Sequence, residues 1–117
     1  MRQKTRKLCR VTAFPVAVLQ ETFSVNQVGR LTWDNPPKAS RRTRGQLAGC
    51  PTYHKRGMYL NGVKVSFKGI LIHAEDIVFT ITKGRHPLPD HKIIHRDGNK
   101  LNNLPSNLVE VSHTLPR

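Results

Sequence analysis

The sequence predicts an α+β fold of small antiparallel β-hairpins and short helices. Two observations carry this. The run around Asn61-Gly62, from Met58 to Phe67, alternates apolar and polar residues as strands do, with a dipeptide suited to a tight turn at its middle. Two other stretches, Pro15 to about Phe23 and Ile70 to Gly84, carry apolar residues at helical spacing. A chain of 117 residues suits one domain with one modest core.

Taken in order, residues 1–14 form a basic N-terminal arm containing Arg2, Lys4, Arg6, Lys7 and Arg10. The domain proper spans 15–117. Pro15 sits near the start of a short helix with Val16, Leu19 and Phe23 on one face. Gly29 breaks the chain, and Arg30–Asp34 reads as a strand with Trp33 in the core. Residues 35–49 are a loop, because two prolines forbid a helix at its start. Next comes the Asn61-Gly62 hairpin, with Met58, Leu60, Val63, Val65 and Phe67 as its apolar residues and Lys64, Ser66 and Lys68 on its polar face. Ile70–Gly84 is rich in β-branched residues. Leu71, Ala74, Ile77 or Val78, and Ile81 nevertheless recur at helical spacing, so it is expected to be a buried helix that Gly84 stops, with His73 a packed histidine. Pro87 and Pro89 keep the next stretch extended. Lys92–His95 then forms a strand, Asp97-Gly98 turns it, and Asn107–Ser112 returns.

Twenty Lys and Arg against seven acids give a net charge of +13, which favours polyanions. Only Glu21 and Asp34 are acidic in residues 1–58; Glu75, Asp76, Asp90, Asp97 and Glu110 lie beyond. Residues 15–69 are therefore expected to grip nucleic acid, and 70–117 to hold the site chemistry. Lys38, Arg41, Arg42 and Arg44 crowd one loop without acids, an arrangement that an anion between them relieves. Cys9 and Cys50 make no C-x-x-C pair, and His54, His86 and His91 have no zinc spacing; those histidines are expected at the surface or on phosphate. No apolar stretch is long enough to span a membrane, and the start resembles no signal peptide, so a soluble, intracellular protein with reduced thiols is expected.

One stretch, HRDGNKLNN at residues 95–103, fits two motifs. It matches the catalytic loop of protein kinases, but the chain is too short for that fold and has no G-x-G-x-x-G, D-F-G or A-P-E. It also matches the centre of another motif. Residues 92–112, KIIHRDGNKLNNLPSNLVEVS, resemble the HNH motif of phage and intron-encoded homing endonucleases: a strand ending in His, then D-G-N, N-N, N-L and a second strand. The order of elements over residues 19–112 is similar as well.

That resemblance implies a ββα-metal (His-Me finger) nuclease whose last helix is short or missing, since the chain ends in TLPR. His95 would be the general base that activates water against a phosphodiester, suited to this by a side chain that accepts a proton near neutral pH. Asn107 would pin the loop and orient His95. Mg²⁺ (or Mn²⁺) would bind the scissile phosphate. The family often carries a polar ligand just before the histidine, where this chain has Ile94; His113, Asp90 and His91 are the substitutes available as metal ligands. Double-stranded DNA would be held by Arg41, Arg42, Arg44, Arg96 and Lys100. A second reading stands beside the nuclease: a non-catalytic nucleic-acid-binding protein, such as a basic component of a nucleoprotein assembly, that kept the fold and lost the metal.

Overall fold

A computed structural model describes residues 7–37, 42–54 and 59–112. The architecture is α+β. Strand β1 (Lys7–Leu8) leads into the helix α1 (Val16–Thr22), which Pro15 introduces at φ −61°. A small hairpin follows, β2 (Phe23–Val25) and β3 (Leu31–Trp33). Then come β4 (Cys50–His54), β5 (Tyr59–Phe67), β6 (Ile70–His73) and the helix α2 (Ala74–Lys83). A second hairpin, β7 (His91–His95) and β8 (Leu108–Ser112), closes the described chain. The order β1-β6-β5-β4 makes a four-stranded sheet in which β1 runs parallel to β6 and the other pairs are antiparallel.

One cluster of buried side chains joins these pieces. It takes Leu19 from α1, Phe23 and Trp33 from the first hairpin, Val63, Val65 and Phe67 from β5, and Ile77 and Val78 from α2. Ile93 and Leu108 bring the second hairpin onto it. Phe23 lies 4.8 Å from Trp33 and 5.4 Å from Phe67, ring centre to ring centre, an edge-and-tilt arrangement that aromatic quadrupoles favour.

Two expectations are corrected here. Asn61-Gly62 is not a hairpin turn. The strand β5 runs straight through it, and between Thr52↔Gly62 and Tyr53↔Leu60 the register skips Asn61 as a bulge. The reversal comes at Lys68-Gly69, with φ of 51° and 85°, between the paired residues Phe67 and Ile70. A two-residue loop of type I′ needs both central residues at positive φ, and a strand that continues to Phe67 keeps Val63, Val65 and Phe67 all in the core. Met58 lies outside the described residues. The second correction concerns Ile70–His73, which is a strand and not the first turn of the helix. The turn at Lys68-Gly69 delivers Ile-Leu-Ile, two of them β-branched, directly beside β5. The helix starts only at Ala74, where Glu75 and Asp76 face the positive end of its dipole. It ends at Gly84, which takes φ 74° and donates its N–H to the Thr80 carbonyl at 2.9 Å.

Beyond α2 the chain is fastened by Glu110 of β8. Its carboxylate accepts from Arg85 at 2.7 Å and from the Leu88 amide at 2.8 Å, and the guanidinium holds its pKa down at about 2. The Pro87–Pro89 stretch is thereby drawn onto the second hairpin. Among the described residues no helix is long and apolar enough to cross a membrane. Cys9 and Cys50 are free thiols.

Truncating the core at its aromatic centre tests this packing: Phe67→Ala is expected to lower stability by about 3–5 kcal/mol, read from the denaturant midpoint. A loss below about 1 kcal/mol would show that Phe67 does not bridge the sheet and the first hairpin.

Candidate active site

His95 stands at the end of β7, paired with Leu108 of β8. In the loop between the two strands, four short polar side chains, those of Asp97, Asn99, Asn102 and Asn107, bond the backbone. Asp97 Oδ1 accepts from the Asn99 amide at 2.8 Å, and Asn99 Oδ1 accepts from the Leu101 amide at 3.0 Å. Gly98, at φ 75°, donates its N–H to the His95 carbonyl at 3.1 Å. The first two are Asx-type bonds and the third is a backbone turn, the reason such loops carry Asp, Asn and Gly.

Asn107 is the peg. Its Nδ2 donates to Asp97 Oδ1 and to the Asn102 carbonyl, both at 2.9 Å, and its Oδ1 accepts from the Asp97 amide at 3.2 Å. Its own carbonyl accepts from the Arg96 amide at 2.8 Å. The carboxamide's donor and acceptor thus both close across the loop. The bond from Asn107, with those from Asn99 and Asn102, holds the Asp97 carboxyl below the usual range.

The side-chain hydrogen bonds of Asn107 all go to the loop. The partner of His95 is Asn103: its Oδ1 lies 2.6 Å from His95 Nε2. Asn103 is only 1 % exposed, so this contact is shielded from water. With the carboxamide oxygen facing the ring, Nε2 carries the proton and Nδ1 is left with the lone pair, an assignment that rests on the orientation of Asn103. A histidine so fixed presents one nitrogen as base. The N-N pair was visible in the sequence, but nothing there distinguishes the asparagine that turns the chain from the one that faces the ring.

A second group missed in the sequence is Glu75, in the first turn of α2. Burial raises its pKa, and a backbone hydrogen bond, followed by the charges of His95, Lys100 and Lys64, partly offsets this. Its neighbour Asp76 is pushed up to about 6 by burial and by Glu75. Some twenty residues separate Glu75 from His95 in the chain, and only the packing of α2 against β7 brings them together.

The metal candidates do not gather. Among the described residues no group of three or more His, Cys, Asp or Glu side chains is placed to hold a metal ion. His91 has its Nδ1 3.3 Å from Glu110 Oε2, and Asp90 is exposed at the other end of β7 from His95. Ile94, just before His95, is 39 % exposed and offers no donor atom. His113 and the residues after it lie outside the described residues, as does any final helix. The described candidates do not form a preformed metal cage.

The basic candidates are spread. Arg96 and Lys100 are exposed on the site loop. Arg44 is exposed and 3.3 Å from Asp34, and the Arg42 guanidinium lies 5.1 Å from the centre of the Trp33 ring. Arg41 and Lys38 are outside the described residues. Two further histidines are placed by the fold. Nε2 of His86 is bonded to the Phe14 carbonyl at 2.7 Å, so it ties the chain. His73 is half-buried, yet among the described residues its Nδ1 has no hydrogen-bond partner.

Residues 73–114 match a family model described as HNH endonuclease. The matched stretch runs from the end of β6 through α2 and the second hairpin. No curated protein and no solved structure matches the chain.

Removing the peg should loosen the loop. Asn107→Ala is expected to destabilise the protein by about 1–3 kcal/mol, because the groups it joins are left unpaired. There is a pH signature too. Asp97 titrates lower folded than unfolded, so its stabilising share is present above about pH 4 and is lost as pH falls through the folded value. Denaturation of the variant across pH 2–5 should show a weaker dependence than the parent; an unchanged slope would refute the peg.

Proposed function

We propose that this protein is a DNA endonuclease that hydrolyses phosphodiester bonds, of the phage or homing-like kind, cutting one strand or both of double-stranded DNA. The observation that supports it best is the imidazole of His95 at a strand end, its Nε2 occupied by a buried carboxamide oxygen 2.6 Å away. That leaves Nδ1 to take a proton from an attacking water. The loop beside it is basic: Arg96 and Lys100 flank the histidine, and the net charge of +13 attracts the duplex. Arg41, Arg42 and Arg44 are the further phosphate contacts in this reading. Asn107 holds the loop in shape and acts on catalysis through it.

Mg²⁺ (or Mn²⁺) is the cofactor that goes with such a nuclease. Because the described side chains form no cage, the ion would have to be held with few protein ligands, keeping several waters as Mg²⁺ commonly does. The same observation, with apolar Ile94 ahead of the histidine, supports a second reading: a nucleic-acid-binding protein that does not cut.

Supercoiled plasmid separates the two. With Mg²⁺ or Mn²⁺ present, the parent should nick it, EDTA should abolish nicking, and His95→Ala should lower the rate by roughly 10²–10⁴-fold. Salt-sensitive binding with no nicking by either protein would establish the second reading. Arg96→Ala with Lys100→Ala should weaken binding across sequences alike and reduce its salt dependence by up to about two phosphate contacts.

A further inference from the structure

The turn that joins β2 to β3 lies against the site loop. It is a tightly bonded unit in its own right: Asn26 Oδ1 accepts from the Val28 and Arg30 amides at 3.0 and 2.9 Å, and the Asn26 carbonyl accepts from Gly29 at 3.1 Å. Gly29 is buried, at φ +83°. Its carbonyl accepts from the Asn103 amide at 2.8 Å. A Cβ built at this position would stand 2.7 Å from Asn102 Oδ1, 2.8 Å from the Leu104 nitrogen and 2.9 Å from the Asn103 nitrogen. Two of those three atoms are backbone, so the turn and the 102–104 segment touch with no room for a methyl group.

A continuous path therefore runs from the Asn26 carbonyl through Gly29 to Asn103, and from Asn103 to His95 Nε2, with the Asn26 side chain closing the turn on either side of Gly29. The 102–104 backbone has bonds of its own, but the amide of Asn103 is spoken for by the first hairpin. We infer that Gly29 is a positioning residue: by seating the Asn103 backbone it fixes where the Asn103 carboxamide meets the His95 ring, and so where the ring points. The effect on cleavage rests on the nuclease reading above. The effect on the ring does not, and can be measured without substrate.

The test compares two glycines with nearly the same backbone. Gly69, at φ +85°, has nothing within 4 Å of a built Cβ, whereas Gly29 is crowded. Gly29→Ala and Gly69→Ala therefore share the conformational strain and differ in the collision. In the ¹⁵N-labelled full chain, long-range ¹H–¹⁵N spectra of the His95 imidazole should show one tautomer in the parent and in Gly69→Ala. In Gly29→Ala the ring should show a mixture. If Gly29→Ala does not fold, Asn26→Ala loosens the turn without adding an atom and should shift the ring in the same direction. In plasmid nicking, Gly29→Ala should lower kcat by roughly 10- to 100-fold at near-constant KM, with the acid limb of its pH profile displaced. An unchanged ring spectrum in Gly29→Ala, or in Asn26→Ala where the first variant is unfolded, overturns the inference, as does an equal change in Gly69→Ala. A parent that nicks nothing but whose ring responds to Gly29→Ala removes the nuclease reading and leaves the positioning role standing.

Discussion

The arrangement depends on one carboxamide. Asn107 joins the amide and carboxylate of Asp97 to the carbonyl of Asn102, and so converts an irregular loop into a fixed frame between two strands. The loop packs Leu101 against the core, and its backbone polar groups must find partners within reach. Short amide side chains supply them at low entropic cost. Because Asn107 is itself buried beside Leu108, the frame is anchored to the core. His95 inherits its position from both sides: from β7 through the backbone, and from Asn103 through the ring.

Around this frame the protein works as a mount. The four-stranded sheet and α2 hold the aromatic and aliphatic core, and the second hairpin joins it through only two fully committed apolar residues, Ile93 and Leu108. Polar ties make up the difference. Glu110 binds Arg85 and the Leu88 amide, and Asn103 binds the turn of the first hairpin. A small site hairpin thus acquires three attachments of different kinds.

Much of this was legible in the sequence. The strand ending at His95, the turn at Asp97-Gly98 and the return strand follow from local rules, since each depends on residues within a few positions. The α1 helix and the burial of Trp33 were legible for the same reason. What failed depended on tertiary context. Asn61-Gly62 has the composition of a turn, but the strand had to continue for Phe67 to reach the core, so the dipeptide became a bulge and Lys68-Gly69 took the reversal. Ile70–His73 has residues at helical spacing, but neighbouring β5 offered it backbone partners. At the site, the roles of Asn103 and Asn107 are separated by four positions in a loop where every asparagine looks alike. Glu75 and Gly29 are contributed by other elements, and no spacing rule links them to the histidine.

The tryptophan at position 33 has a further use. It is the only one in the chain, it is 1 % exposed, and a guanidinium lies 5.1 Å from the centre of its ring. Its indole is therefore a native optical reporter, buried in the core on one side and capped by a cation from the basic loop on the other. An anion that draws Arg42 away alters the field across that ring, and the emission wavelength registers the event without any attached dye.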